Sequence, residues 1–256
     1  MPTASPCSSA SVVWSSPPGP AGIPSIRACN RVSAAWVERM REQMPERAFR
    51  QEILAEFVDD AGAVFHDVER AATAAPEAAP DPQGRYVLGV DLARYRDYTA
   101  VWVGRQDTGS AVACERFQRL AWPLQQARLA ALSLRYGGAP LYIDASGPGD
   151  PLCDALEAEG LPVVRVQFTT NSKRRLVDGL AIALERGTLR LVPHEQTLRE
   201  LRAYHYELTA SGHVRTGGYR EHDDCVMALA LCCWGLARRT GREFILGAPM
   251  GTRELD

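Results

Sequence analysis

Two apolar runs that each end in an aspartate constrain this chain most. Tyr-Val-Leu-Gly-Val-Asp (86–91) ends at Asp91, and Leu-Tyr-Ile-Asp (141–144) ends at Asp144. Short apolar runs bounded by turn residues read as buried strands. A carboxylate at the end of a buried strand needs a partner, because burying an unpaired charge is expensive. A third segment, His-Asp-Asp-Cys-Val-Met-Ala-Leu-Ala-Leu (222–231), reads as a helix with Asp223 and Asp224 at its start. Three acidic clusters able to converge point to a divalent cation, since Mg²⁺ prefers carboxylate oxygens. A pair of ions held this way is suited to phosphodiester hydrolysis.

The order of elements around these acids defines the fold class. Strands are expected near 86–91, 99–104 and 111–117, joined by turns alone, which makes an antiparallel meander. A helix at 123–136 leads to the strand ending at Asp144. After Gly147-Pro148-Gly149 come a helix at 150–159, a strand at 162–167, a helix at 172–186 and a brief strand at 189–192. A helix over 194–204, a hairpin around 206–216 and a final helix over 221–239 complete the pattern. This is the order of an RNase H-like α/β domain, a mixed sheet (antiparallel three-strand meander plus parallel strands) flanked by helices. In that geometry the first and fourth strands are central neighbours, and sites lie at the carboxyl ends of such strands.

The rest of the chain divides by composition. Residues 1–70 are irregular and helical, with Ser33 as a helix N-cap and Phe49, Ile53, Leu54 and Phe57 on a helix after Pro45. Val64 and Phe65 suit a short strand. Residues 71–84, rich in Ala and Pro, read as a linker. Residues 85–239 form the α/β domain, and 240–256 a flexible tail.

Each acid has a structural alternative. Asp91 and Asp144 could close Asx-turns. Asp223 and Asp224 could simply favour a helix dipole; adjacent helical residues point about 100° apart, so Asp224 is the favoured ligand and Asp223 a second ligand or support. Asp97 is a loop residue that could steady the turn or bind metal through water. His222 could stand behind the ligands, near a scissile phosphate, or be a solvated cap.

Net charge is −2, yet residues 161–220 carry ten Lys/Arg against five Asp/Glu. A basic surface beside an acidic cluster suits a nuclease, with phosphates attracted outside and metals held inside. Lys173 is the chain's one lysine. The seven cysteines show no C-x-x-C, which argues against a disulfide framework or a zinc site and for a reducing compartment. No window is long and apolar enough for a membrane span. No phosphate-loop or dinucleotide glycine motif is present, and no serine or cysteine sits in a nucleophile-elbow context.

Four segments resemble the large subunit of tailed-bacteriophage DNA-packaging terminases: Gly-Val-Asp-Leu-Ala-Arg-Tyr-Arg-Asp-Tyr-Thr-Ala (89–100), Ile-Asp-Ala-Ser-Gly-Pro-Gly-Asp (143–150), Ser-Lys-Arg-Arg-Leu (172–176) and His-Asp-Asp-Cys-Val-Met-Ala-Leu-Ala (222–230). The resemblance covers 84–239. It extends weakly upstream, where Ser15-Ser16-Pro17-Pro18-Gly19 looks like the end of a packaging ATPase core and Gln51–Phe57 like the segment joining it to the nuclease. The phosphate loop of the full subunit is missing, so the chain looks like a C-terminal portion.

The resemblance implies an endonuclease that cuts concatemeric double-stranded viral DNA during packaging, using two Mg²⁺ or Mn²⁺ ions. Carried over by position, Asp91, Asp144 and Asp224 would be catalytic metal ligands, with Asp91 bridging and Asp223 assisting. Lys173 and Arg174 would contact phosphate, and the 206–216 hairpin would lie beside the site. Implied partners are double-stranded DNA, a separate ATPase portion, the portal protein and the terminase small subunit, with no membrane, in the cytoplasm of the bacterial host. The rivals are a Holliday-junction resolvase or transposase core, a catalytically silent remnant docking on DNA or portal, and a sugar-kinase-like or actin-like ATPase.

Overall fold

The computed structural model describes residues 33–56, 62–77, 79–93, 97–146, 149–208, 214–218 and 223–240. The chain forms two compact units, 1–57 and 58–256.

In the first unit, helix α1 (Ala34–Gln43) starts where the Ser33 side chain accepts a hydrogen bond from the Trp36 amide, the N-cap that the sequence signals. Pro45 opens α2 (Glu46–Ala48), which runs into a π-helical turn, Phe49–Ile53. Phe49 is fully buried, and the Arg41 guanidinium lies over its ring.

The second unit is built on a six-stranded sheet of order β5-β4-β1-β2-β3-β6. Strands β1 (Tyr86–Asp91), β2 (Thr99–Arg105) and β3 (Ser110–Phe117) form the expected antiparallel meander. Strand β4 (Leu141–Asp144) pairs parallel with β1, and β5 (Val163–Val166) parallel with β4. Strand β6 (Arg190–Leu191) closes the far edge parallel to β3. A separate hairpin joins β7 (Tyr204–Leu208) to β8 (Val214–Gly218).

Each face of the sheet is covered, so the central strands read as continuous apolar runs rather than alternating ones. Leu88, Val90, Val101, Val103, Leu141 and Ile143 pack on one face against α4 (Trp122–Arg135) and α5 (Asp150–Ala158). Val87, Ala100, Trp102 and Tyr142 pack on the other, against α6 (Thr170–Glu185), α7 (Glu195–Ala203) and α8 (Asp224–Thr240). Helix α8 is buried continuously from Cys225 to Leu236, and such a helix is apolar all round.

Residues 63–81 pack on this unit. Ala63 bridges His205, and Val64 and Phe65 are buried without forming a strand of their own. A short helix, α3 (Val68–Ala71), follows. Ala71 and Ala74 are core residues, and the Ala74 amide bonds to the Leu191 carbonyl. Glu77 and Asp81 both pair with Arg105, each at 2.7 Å. The Ala/Pro composition that reads as a linker therefore clothes the domain, with small side chains fitting against the sheet edge. Among the described residues, no helix is long and apolar enough to cross a membrane.

Candidate metal centre

The parallel register of β1 and β4 brings two of the acids together. Val90 pairs with Ile143, so the next step along both strands sets Asp144 opposite Asp91. Helix α8 crosses β1 at Gly89, where an added Cβ would fall 2.2 Å from the Ala228 carbonyl oxygen and 2.2 Å from the Cys232 nitrogen. This close approach aims the start of α8, with Asp223 and Asp224, at the end of β1.

The electrostatics record the convergence. The Asp91 carboxyl is held well above the ordinary aspartate value, first by burial and then by the charges of Asp224, Asp223 and Asp144. Asp144 is also raised by burial, while Ser146 and Lys173 act against the shift. The Ser146 amide donates to Asp144 Oδ1 at 2.9 Å. The Asx-turn alternative for Asp144 is thus real, and it leaves the carboxylate among the other acids. Asp224 is nearly buried; its Oδ2 accepts from the Tyr98 amide at 3.1 Å and lies 4.0 Å from Arg116 Nη2. The Arg116 guanidinium is stacked 3.2 Å over the Tyr98 ring.

Carboxylates whose charges reach one another in this way repel each other and suit a hard cation that takes oxygen ligands. The donor set fits Mg²⁺-class ions and offers no soft ligand that would select against them.

The remaining candidates lie as follows. Lys173 Nζ is 2.8 Å from Asp223 Oδ2, so it is paired with an acid of the cluster. Arg174 faces Asp178 on its own helix, 3.6 Å away. Asp97 is exposed on the loop between β1 and β2. His222, and the hairpin residues 209–213, lie outside the described residues. Part of the basic excess over 161–220 is engaged within the fold: Arg165 reaches Asp150, Asp154 and Glu157, and Arg202 reaches Glu69.

Glu200 carries a role that the sequence reading missed. It is 1% exposed, on α7. Its Oε2 accepts from the amides of Cys225 (2.8 Å) and Val226 (3.3 Å), and its Oε1 from the Gln196 side chain (3.0 Å). The first amides of a helix have no intrahelical partner, so Glu200 caps α8 from a neighbouring helix and holds the turn that bears Asp223 and Asp224. Burial keeps its carboxyl above the ordinary glutamate value despite these donors. In a mixed-charge helix the residue looks like one more surface acid, and no local signal sets it apart. Glu200→Ala is expected to lower stability by about 2–3 kcal/mol, the penalty for stranding buried donors. Glu200→Gln, which keeps an acceptor, is expected to lose clearly less; urea unfolding of the two variants checks this.

A family model described as terminase RNaseH-like domain matches residues 88–233, from β1 into α8. The chain belongs to the terminase RNaseH-like domain family. The large terminase subunit of Thermus virus P23-45 is 36% identical over 222 residues, 82% of this chain and 46% of that protein. The terminase domain chain thus spans less than half the length of the curated relatives it matches. The crystal structure of the large terminase nuclease from thermophilic phage G20c with bound magnesium superposes with a TM-score of 0.65 at 31% identity, covering 69% of this chain and 98% of that one. The same nuclease with bound cobalt gives 0.64 at 32%, with the same coverage. The terminase RNaseH-like fold agrees with the element order expected from sequence.

Proposed function

We propose that this chain is the nuclease portion of a DNA-packaging terminase, a metal-dependent endonuclease that cuts double-stranded DNA by phosphodiester hydrolysis. The observation that carries this reading is the meeting of Asp91, Asp144, Asp223 and Asp224, with Asp91 raised by the other three. The G20c relative described with bound magnesium and with bound cobalt supports it.

In this reading Asp91, which interacts with each of the other acids, would hold two Mg²⁺ or Mn²⁺ ions together with Asp144 and Asp224, with Asp223 assisting. When bound, the ions lower the pKa of an attacking water and stabilise the leaving 3′-oxygen. The chain's own work is orientation. Tyr98 and Arg116 steady Asp224, Ser146 steadies Asp144, and Glu200 fixes the first turn of α8. Basic residues outside the acids suit phosphate contact, which positions DNA without reading its sequence. A separate ATPase portion, the portal and the small subunit complete the proposed packaging complex, in the host cytoplasm.

The test is nicking of supercoiled plasmid by the purified chain with Mn²⁺, Mg²⁺ or EDTA. Metal-dependent cutting is expected; folded protein that cuts in none of these conditions overturns the reading for the isolated chain.

Lys173 gives a second handle. Its ammonium neutralises part of the acid cluster, so Lys173→Ala makes the site more negative. The variant is expected to bind Mn²⁺ about fivefold more tightly, from about 1 kcal/mol of lost repulsion between cation and metal. It should also lose about 1 kcal/mol of stability without metal. Calorimetric Mn²⁺ titration checks the sign. A residue serving only to contact DNA would leave metal affinity unchanged.

A further inference from the structure

Away from the carboxylates, three residues from distant parts of the chain meet in a second constellation. Cys114 on β3, His194 at the start of α7 and Cys225 in the first turn of α8 each offer a ligand atom, all within 4.8 Å of one another. We propose that Cys114, His194 and Cys225 form a second metal site, for a soft divalent cation of the zinc class, that staples α7 and α8 to the sheet.

The chemistry of the donors sets this site apart. Two thiolates and an imidazole are soft and borderline ligands, which favour Zn²⁺ over Mg²⁺. Binding releases one proton from each thiol to solvent. The dication then meets two thiolate charges, so no net charge is left to bury. The fourth position falls to water, because Cys114 and His194 are half-buried while Cys225 is fully buried. That same half-exposed side is the entry path.

The surroundings are those of a held ligand set. The Thr197 amide donates to His194 Nδ1 at 3.3 Å, capping α7, and Thr197 Oγ1 lies 2.8 Å from the same nitrogen. On metal binding through Nε2 the ring proton would move to Nδ1 and be accepted by Thr197 Oγ1, which holds the ligating imidazole. The Trp102 ring meets the His194 ring edge-on, 5.9 Å between centroids. Glu200 holds the Cys225 amide. The Cys114 and Cys225 sulfurs lie within 4.8 Å of each other, so the pair is already drawn together.

The position gives the site a consequence. Cys225 directly follows Asp224, and Cys114 stands two residues before Arg116, which neighbours Asp224. A cation here would brace the turn that presents the acids, without touching them. The absence of a C-x-x-C motif does not bear on it, since the three ligands come from three separate elements.

The test is cobalt substitution of the full chain, purified without chelator and kept reduced with a phosphine. Wild type is expected to show the near-ultraviolet thiolate-to-cobalt charge-transfer band, bleached by one equivalent of Zn²⁺ and untouched by excess Mg²⁺. Cys114→Ser is expected to lose the band and to bind Zn²⁺ about a hundredfold more weakly or worse. Cys153→Ser, which alters a buried thiol elsewhere, should keep it. Asp91→Asn should also keep it, which separates this site from the carboxylate cluster. Cobalt binding by wild type without a thiolate band would mean carboxylate binding only and would overturn the proposal. So would a band that survives Cys114→Ser. A wild-type spectrum without the band overturns the proposal even if a variant fails to fold.

Discussion

Asp91→Asn is expected to abolish metal-dependent plasmid cleavage and, at the same time, to stabilise the metal-free protein. The first effect follows from the place of Asp91 among the acids: it interacts with Asp144, Asp223 and Asp224 alike. On the proposed function, losing its charge would remove the acid that interacts with all the others. Metal activation is worth several kcal/mol, and about 1.4 kcal/mol is a factor of ten in rate. A fall of about a thousandfold or more is therefore expected in a plasmid nicking assay.

The second effect follows from the sign of the pKa shift. The folded Asp91 carboxyl is raised well above its ordinary value, chiefly by burial and by the neighbouring acids. Between the ordinary value and the raised one, the folded state holds a proton that the unfolded chain has released, so stability falls as pH rises through that window. Within and above that window the wild type carries this penalty, and asparagine does not. Thermal unfolding in EDTA should show the variant melting a few degrees higher. Added Mn²⁺ should then raise the melting temperature of wild type and leave the variant unmoved. Retained cleavage by the variant would remove Asp91 from the site.

Gly89→Ala is expected to be the most damaging small substitution in the β1 strand. A methyl group there would sit 2.2 Å from both the Ala228 oxygen and the Cys232 nitrogen, and 2.7 Å from Cys232 Cα. All three are backbone atoms of α8, so no rotamer change relieves the clash. Overpacking a core typically destabilises by about 1–3 kcal/mol, and a helix backbone that must shift bodily puts this site at the upper end or beyond. Because α8 carries Asp223 and Asp224, any shift moves two acids relative to Asp91 and Asp144. The variant should therefore lose about 3 kcal/mol in urea unfolding and also lose most of the Mn²⁺-induced thermal shift. Normal stability would show that α8 is not pinned at this contact.

Much of the site was legible before any coordinates. The strands ending at Asp91 and Asp144 match their observed ends, because both are buried on two faces and terminate where the first charge appears. Their adjacency followed from strand order, since a meander followed by a helical crossover sets the fourth strand beside the first. The final helix expected over 221–239 begins at Asp224, so its presence, though not its exact first residue, followed from two acids preceding a long apolar run.

Other features left no local trace. Residues 63–81 read as composition alone, because Ala71 and Ala74 show no period, yet they are small enough to lie against the sheet. Lys173 and Glu200 look like members of solvated helical faces. Their partners, Asp223 and the amides of Cys225 and Val226, lie 50, 25 and 26 residues away.

By itself the sequence determined the main elements of the sheet domain, their order and the four candidate acids, because burial, strand termination and helix initiation act over a few neighbouring residues. The tertiary structure alone decided which charge meets which: Lys173 with Asp223, Glu200 with the start of α8, and Cys114 with His194 and Cys225. The reason is physical. Those pairings depend on distances of a few ångströms between segments that only the packing of helices on the sheet brings together, and no pattern along the chain encodes them.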